Sequence, residues 1–133
     1  MRYMLDTNVC VDLIRRRSPT VLGHLLRLKP SDVCVSVITL NELEFGVAKS
    51  AYPDRNHRAL LEFLAAIMIE PMMDHVAPIY GRIRADLEAK GCGIGSLDML
   101  IAAHALALKT TLVTNNTREF QRVPGLTVQD WTV

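Results

Sequence analysis

The chain has 133 residues, of which 50% are hydrophobic, enough for one substantial core and too few for two ordinary domains. Its 15 basic and 14 acidic residues leave a formal charge of +1, so composition does not indicate a general nucleic-acid binder. Aromatic residues make up 5% and are not interleaved with basic ones, which argues against a platform for stacking single-stranded bases. We therefore expect a single domain over residues 1–133 whose function depends on local sites.

Cysteine spacing and hydropathy exclude several classes of protein. The three cysteines are far apart and lack the spacing of a metal-ligand set, which favours a reduced, cytoplasmic protein. No apolar run approaches the length of about 18 residues that a membrane span needs. Polar residues from Asp6 onward interrupt the N-terminal stretch before a signal-peptide core could form. We expect neither export nor membrane insertion.

Short apolar runs alternate with helical patterns along the chain. These patterns predict a strand at 3–5, helices at 9–14 and 19–29, a strand at 33–37, helices at 38–50 and 53–66, a brief strand at 68–69, a helix at 76–90, a glycine-rich loop at 91–95, a helix from 96 to 108 and a strand at 111–114. Strands separated by helices predict an α/β fold with a mostly parallel sheet covered by helices. Ligand sites in such sheets lie beyond the carboxyl ends of the strands.

Asp98 lies in an unusually apolar helix. Within residues 97–108 only Asp98 and His104 are polar, so the helix should be buried. A buried carboxylate is costly unless a cation or hydrogen-bond donors compensate its charge. The alternative is structural, because an acidic residue in the first turn of a helix is favoured by the free backbone amides and the helix dipole.

Asp6 and Glu42 are the other candidate site residues, and each has a simpler interpretation. Asp6 follows the first strand, where it lies at a strand's carboxyl end but could equally be a helix N-cap. Glu42 lies in the helix after the second strand, where an acidic residue usually belongs to a solvated face, as we expect for Glu44. Neither position alone identifies a site.

Convergence of these carboxylates predicts a metal site. Two carboxylates about 4 Å apart repel by about 4 kcal/mol at an effective dielectric constant near 20, and a hard divalent cation removes this penalty. Magnesium prefers oxygen ligands and retains several waters. We therefore predict a Mg²⁺ or Mn²⁺ site in which Asp6 and Asp98 bind directly, while Glu42 binds through water or orients the nucleophile. Such a site fits phosphodiester hydrolysis.

The sequence resembles the PIN-domain nucleases, in particular the VapC-type toxins of bacterial toxin–antitoxin pairs. The matching fragments cover nearly the whole chain and are MLDTN at 4–8, SVITLNELEFG at 36–46, DMLIAAHA at 98–105, TNN at 114–116 and REF at 118–120. The resemblance implies an α/β/α sandwich, magnesium-dependent endoribonuclease activity, a homodimer and neutralisation by a VapB-like antitoxin.

Residue by residue, the resemblance places Asp6, Glu42 and Asp98 at the family's first three acidic positions. The fourth position is frequently Asp in the family but is Asn116 here, which can ligate or hold water without adding charge. Glu119, three residues later, could compensate. The hydroxyls of Thr7 and Thr114 are placed to hydrogen-bond the acidic cluster, although turn or strand-end chemistry would explain them as well.

RNA binding requires cations around the acidic centre. The candidate phosphate ligands are residues 15–17, Arg82, Arg84, Arg118 and Arg122. We favour Arg118, which follows the loop carrying Asn116, and then Arg84. Structured RNA such as a tRNA anticodon loop is the expected substrate, because sequence-selective recognition usually targets unstacked loops. Initiator tRNA is what the resemblance implies, since VapC-type toxins that end similarly, with Arg-Glu-Phe and a terminal Asp-Trp, include initiator-tRNA cleavers. The four histidines show no ligand spacing and are interpreted as packing or surface residues.

Two other functions remain open. An acid-nucleophile phosphatase would also place an Asp after the first strand, but its usual Asp-x-Asp pattern is broken by Asn8. A catalytically inactive PIN-fold interaction module is the second, since Asn116 removes one acidic group.

Overall fold

A computed structural model describes residues 2–133. Five strands form one sheet, with bounds β1 Tyr3–Leu5, β2 Val33–Ser36, β3 Met68–Glu70, β4 Thr111–Val113 and β5 Val128–Gln129. Their spatial order is β3-β2-β1-β4-β5, and every neighbouring pair is parallel. β1 is the central strand, so the residue that follows it emerges in the middle of the sheet's carboxyl edge.

Helices connect the strands, as a parallel sheet requires. Their bounds are α1 Thr7–Ile14, α2 Pro19–Leu26, α3 Val37–Ala48, α4 Pro53–Leu64, α5 Val76–Ala89, α6 Ser96–Leu108 and α7 Thr117–Phe120, with a 3₁₀ turn at Pro30–Asp32. No helix within residues 2–133 is long and apolar enough to cross a membrane.

Hydrophobic cores lie on both faces of the sheet. Successive strand residues point to opposite faces, so Met4 and Leu112 pack in one core, while Leu5 and Val113 pack in the other. The first core is completed mainly by α5 and α6, and the second by residues of α1 to α4. The predicted α/β/α sandwich with a parallel sheet is therefore confirmed.

Several predicted boundaries were wrong, and side-chain caps explain the two nearest the site. α1 begins at Thr7 instead of residue 9, because an Asp6 carboxylate oxygen accepts the Thr7 amide at 2.8 Å. Val37, predicted as strand, opens α3 because the Ser36 hydroxyl accepts the Ile38 amide at 3.1 Å and caps the helix. Four helices, α2 to α5, end one to three residues earlier than predicted, and β4 ends at Val113.

Two short elements were not predicted. α7 has four residues and β5 has two, which is too short for either a helical or a strand periodicity to be recognised. Both follow β4, and α7 is the element that carries Arg118 and Glu119. β5 pairs with β4 and α7 packs against β5, so their positions depend on tertiary contacts rather than on a local pattern.

Candidate active site

Asp6 is buried at the carboxyl edge of the sheet. It follows β1, caps α1 and is only 3% exposed. One carboxylate oxygen accepts the Thr7 amide and the other accepts the Thr114 hydroxyl, both at 2.8 Å. Burial raises the pKa of Asp6, whereas these two hydrogen bonds act in the opposite direction. The cap interpretation and the site interpretation are therefore compatible, because the second oxygen faces Thr114 of the neighbouring strand end.

Glu42, in α3, is hydrogen-bonded by Thr7, the first residue of α1. The Thr7 hydroxyl donates to Glu42 Oε1 at 2.7 Å and lies 3.4 Å from the Thr39 hydroxyl, which is fully buried. Thr39 precedes Glu42 by three residues and so shares its face of α3. Thr39 was not predicted as a site residue, although its spacing of three residues from Glu42 was visible in the sequence. Glu44, by contrast, is exposed, as expected.

Asp98 completes a group of nearby carboxylates. It lies in the first turn of α6, is half-buried, and its pKa is raised to about 6. Burial is the largest cause, followed by the negative charges of Asp6, Glu42 and Glu119. Charges act this way only over short distances in a screened medium. The cap residue of α1 and one acidic residue each from α3, α6 and α7 therefore lie near one another here.

The segment after β4 supplies the remaining polar groups. The buried Thr114 hydroxyl donates to Asp6 and accepts the Asn116 amide at 3.0 Å, so it links both residues. The Asn116 side chain makes no hydrogen bond with residues 2–133, whereas the charge of Glu119 acts on Asp98. Of the two candidates for the fourth acidic position, Glu119 is the one with an electrostatic contact to the cluster.

No basic side chain among the described residues forms an ion pair with this cluster. Among residues 2–133, all four ion pairs involve other acids, namely Glu44, Glu70, Asp86 and Glu88. No group of three or more His, Cys, Asp or Glu side chains in that range is arranged so that it could hold a metal ion. Magnesium, however, is usually bound by one or two carboxylates, with water and substrate phosphate completing its coordination. The hard carboxylate oxygens of Asp6 and Asp98 therefore fit a divalent cation by their chemistry.

The predicted arginine ligands are placed less favourably. Arg84 is exposed on α5, where its guanidinium donates to Glu88 and to the Tyr80 hydroxyl, both at 3.0 Å, and it contacts none of the clustered acids. Arg118 is exposed on α7 and makes no ion pair within the described chain. A mainly apolar groove beside Thr7 and Glu42 contains two other cations at its rim, Arg15 and Lys49.

Thr114→Val should destabilise the protein by about 1–3 kcal/mol, because it leaves a buried oxygen of Asp6 and the Asn116 amide without their partner. Thr114→Ser retains the hydroxyl and serves as the control. Urea unfolding in EDTA at pH 7.5 measures both variants. Equal stability of the Val variant and the wild type would show that this hydroxyl does not hold Asp6.

Comparison with known proteins identifies relatives over the full length. A sequence model of the family described as PIN domain matches residues 3–126. The chain is 42% identical over 132 residues to ribonuclease VapC2 of Rickettsia felis, covering 98% of each protein. It is 38% identical over 131 residues to the tRNA(fMet)-specific endonuclease VapC of Salmonella typhimurium, again covering 98% of each.

A solved structure has the same fold. The crystal structure of VapBC2 from Rickettsia felis bound to a DNA fragment from their promoter contains a chain that superposes with a TM-score of 0.92 at 40% identity. The match covers 98% of this chain and 99% of that one. The similarity thus extends over every element that contributes to the acidic cluster.

Proposed function

Because the chain belongs to the PIN-domain family, as one of its VapC-type ribonuclease toxins, we propose that Asp6, Glu42 and Asp98 form its metal-dependent catalytic centre. In this role the whole of residues 1–133 acts as one PIN domain. The reaction is hydrolysis of a phosphodiester bond in RNA. PIN-domain nucleases are generally dependent on divalent metals, and we assign Mg²⁺ or Mn²⁺ here.

The observation that carries this proposal is the uncompensated acidic cluster. Four carboxylates share one edge of the sheet, and the charges of three of them raise the pKa of the fourth, Asp98. Natural folds rarely retain such repulsion without a use for it, because a buried or half-buried charge without a partner costs free energy. A divalent cation makes the same arrangement favourable.

Each residue has a defined task at this centre. Asp6 and Asp98 would bind the ion directly, and Glu42 would bind through water or orient the attacking water. When bound, the ion would polarise the phosphate and lower the pKa of water. The Thr7 and Thr114 hydroxyls donate to Glu42 and Asp6, and thereby fix the direction in which the free lone pairs point.

Glu119 is our choice for the fourth acidic group, since its charge acts on Asp98. Glu119→Gln should then lower the rate of RNA cleavage by about 10- to 100-fold. Asn116→Ala should have a smaller effect, because the backbone amide that binds Thr114 remains. Single-turnover cleavage rates compare the two variants. If Asn116→Ala abolished cleavage while Glu119→Gln cleaved at the wild-type rate, Asn116 would be the fourth site group instead of Glu119.

We propose that the substrate is a structured RNA, and specifically a tRNA. One relative is named a tRNA(fMet)-specific endonuclease, which makes the initiator-tRNA anticodon loop the first substrate to test. Arg118 near the cluster, with Arg15 and Lys49 along the adjoining groove, would contact phosphates. Arg84 is a weaker candidate because its guanidinium is already paired.

VapC toxins assemble with an antitoxin, and a VapB-like antitoxin is the partner of this chain. We further propose that the toxin is a homodimer and acts in the cytoplasm, where its RNA substrate is found. The antitoxin should suppress cleavage when it is added to the free toxin.

A cleavage assay with total RNA tests the proposed function. Purified wild type and Asp6→Asn are incubated with total cellular RNA in Mg²⁺, Mn²⁺ or EDTA, and new 5′ ends are mapped. Purified initiator and elongator tRNAs are tested in parallel. We expect discrete cuts that require both the ion and Asp6. An absence of cuts under every condition would favour an inactive interaction module, and trapping of an aspartyl phosphate would favour a phosphatase.

A further inference from the structure

His104 is a fully buried imidazole for which the catalytic centre gives no direct use. It lies in α6, where its neighbours at 101, 102, 103 and 105 are buried apolar residues. Its Nδ1 lies 2.8 Å from the Ser36 hydroxyl oxygen, while Nε2 lies near the Pro71 carbonyl without normal hydrogen-bond geometry. An aliphatic side chain would fill this space without burying polar atoms, so packing alone does not explain a histidine.

The Ser36 hydroxyl links the start of α3 to α6. Its oxygen accepts the Ile38 amide at 3.1 Å and lies 2.8 Å from His104 Nδ1. A hydroxyl has one proton and two lone pairs, so the bond to Nδ1 forms with the imidazole proton on either ring nitrogen. Burial lowers the pKa of His104, which favours the neutral ring.

This hydrogen bond connects the two helices that carry Glu42 and Asp98. Ser36 caps α3, and Glu42 lies six residues further along that helix. Asp98 lies six residues before His104 in α6. At 1.5 Å per residue, each carboxylate is about 9 Å along its helix axis from the shared hydrogen bond. A change of about 6° in the angle between the helices would displace a carboxylate by about 1 Å.

We propose that the Ser36–His104 hydrogen bond is a positioning device that sets the separation of Glu42 and Asp98, and that His104 is retained for this purpose. The inference rests on the proposed function, since the separation matters only where both carboxylates serve one centre. A displacement of about 1 Å at such a centre can cost about 100-fold in rate. The bond lies at the carboxyl end of β2, so the same contact anchors α6 to the sheet.

His104→Leu tests the proposal, because it removes the hydrogen bond to Ser36 and both buried ring nitrogens together. We expect kcat for RNA cleavage to fall about 10- to 100-fold with KM changed less than about twofold. The Tm should fall by a few degrees, because the buried Ser36 hydroxyl loses one partner even though the unpartnered Nε2 is removed as well. His104→Asn carries a side-chain amide that can accept from or donate to the Ser36 hydroxyl, and it should recover most of the lost rate.

Ile101→Val is the matched control, because it perturbs the buried face of the same helix without touching the hydrogen bond. Its Tm should fall by a few degrees, and its kcat should remain within about twofold of the wild type. Ser36→Ala should lower kcat as His104→Leu does, and the double variant should be no slower than either single variant.

Mn²⁺ binding to the same metal-free variants provides a readout that needs no RNA. His104→Leu should weaken binding about 10-fold or more, while Ile101→Val and His104→Asn should bind nearly as the wild type does. If the wild type is active and His104→Leu matches it in both cleavage rate and Mn²⁺ affinity, this inference is overturned and the proposed function stands. A wild type that neither binds Mn²⁺ nor cleaves RNA would overturn the proposed function and the inference with it.

Discussion

Asp98→Asn is expected to reduce RNA cleavage by about 100- to 1,000-fold while the protein remains folded. The amide has nearly the same shape as the carboxylate, so the packing of α6 is retained, but the charge that would bind the cation is lost. Asp6→Asn should have a similar effect, because one oxygen can still cap α1. Single-turnover rates on a mapped RNA site, with circular dichroism to verify folding, provide the measurement.

Glu44→Gln is the control for these two variants. Glu44 lies on α3 two residues from Glu42 but is exposed and pairs with His57 instead of joining the cluster. Its removal changes the net charge by the same amount without altering the centre, so cleavage should remain within about twofold of the wild type. Asp98→Asn with the activity of Glu44→Gln would exclude Asp98 from the catalytic centre.

The placement of Asp6 was predictable because two local signals agreed. A short apolar strand ends at an acidic residue that can cap the next helix, and both features are visible in the sequence. Asp98 was predictable for a different reason, since a lone carboxylate in an otherwise apolar helix requires compensation. The parallel sheet then follows from the alternation of strands and helices, and brings both residues to one edge.

Side-chain contacts between distant elements could not be predicted in this way. The Thr7–Glu42 and Ser36–His104 hydrogen bonds join residues 35 and 68 positions apart, respectively, and depend on the crossing angles of helices. No periodicity encodes such angles. For the same reason His104 was interpreted only as a packing or surface residue. Its burial is confirmed, but its bond to the residue that caps α3 emerges only from the assembled fold.

α7 illustrates a second limit of sequence patterns. It has one turn and no apolar stripe, so only its tertiary position brings Glu119 near Asp98. The prediction for Arg84 is weaker because a local contact was overlooked. Its charge suggested a phosphate contact, but Tyr80 and Glu88 lie four residues before and after it on α5. Both accept hydrogen bonds from its guanidinium.

Through Asp98, a rise in pH should lower the free energy of unfolding of the metal-free protein, whereas a bound divalent cation should raise it. The pKa of Asp98 is about 6 in the folded protein and 3.8 ordinarily, so in the metal-free state its contribution is most favourable below pH 3.8. That contribution is lost as pH rises through about 6. The raised pKa of Asp6 acts in the same direction. Mg²⁺ or Mn²⁺ competes with the proton, so stabilisation by the metal should grow over the same pH interval.

Thermal unfolding at pH 5 and pH 7.5 measures both effects. At a Mg²⁺ concentration ten times its Kd, stabilisation at pH 7.5 should be about 1.4 kcal/mol, or about 5 °C in Tm, and clearly smaller at pH 5. NaCl at equal ionic strength controls for general screening.

Asp98→Asn should raise the metal-free Tm at pH 7.5 and remove most of the response to Mg²⁺. The other titrating groups are common to both proteins, so the difference in metal-free Tm between wild type and Asp98→Asn reports on Asp98 alone. If this difference in Tm is the same at pH 5 and pH 7.5, Asp98 has the same pKa in the folded protein as in the unfolded chain. The other acids would then not oppose its charge.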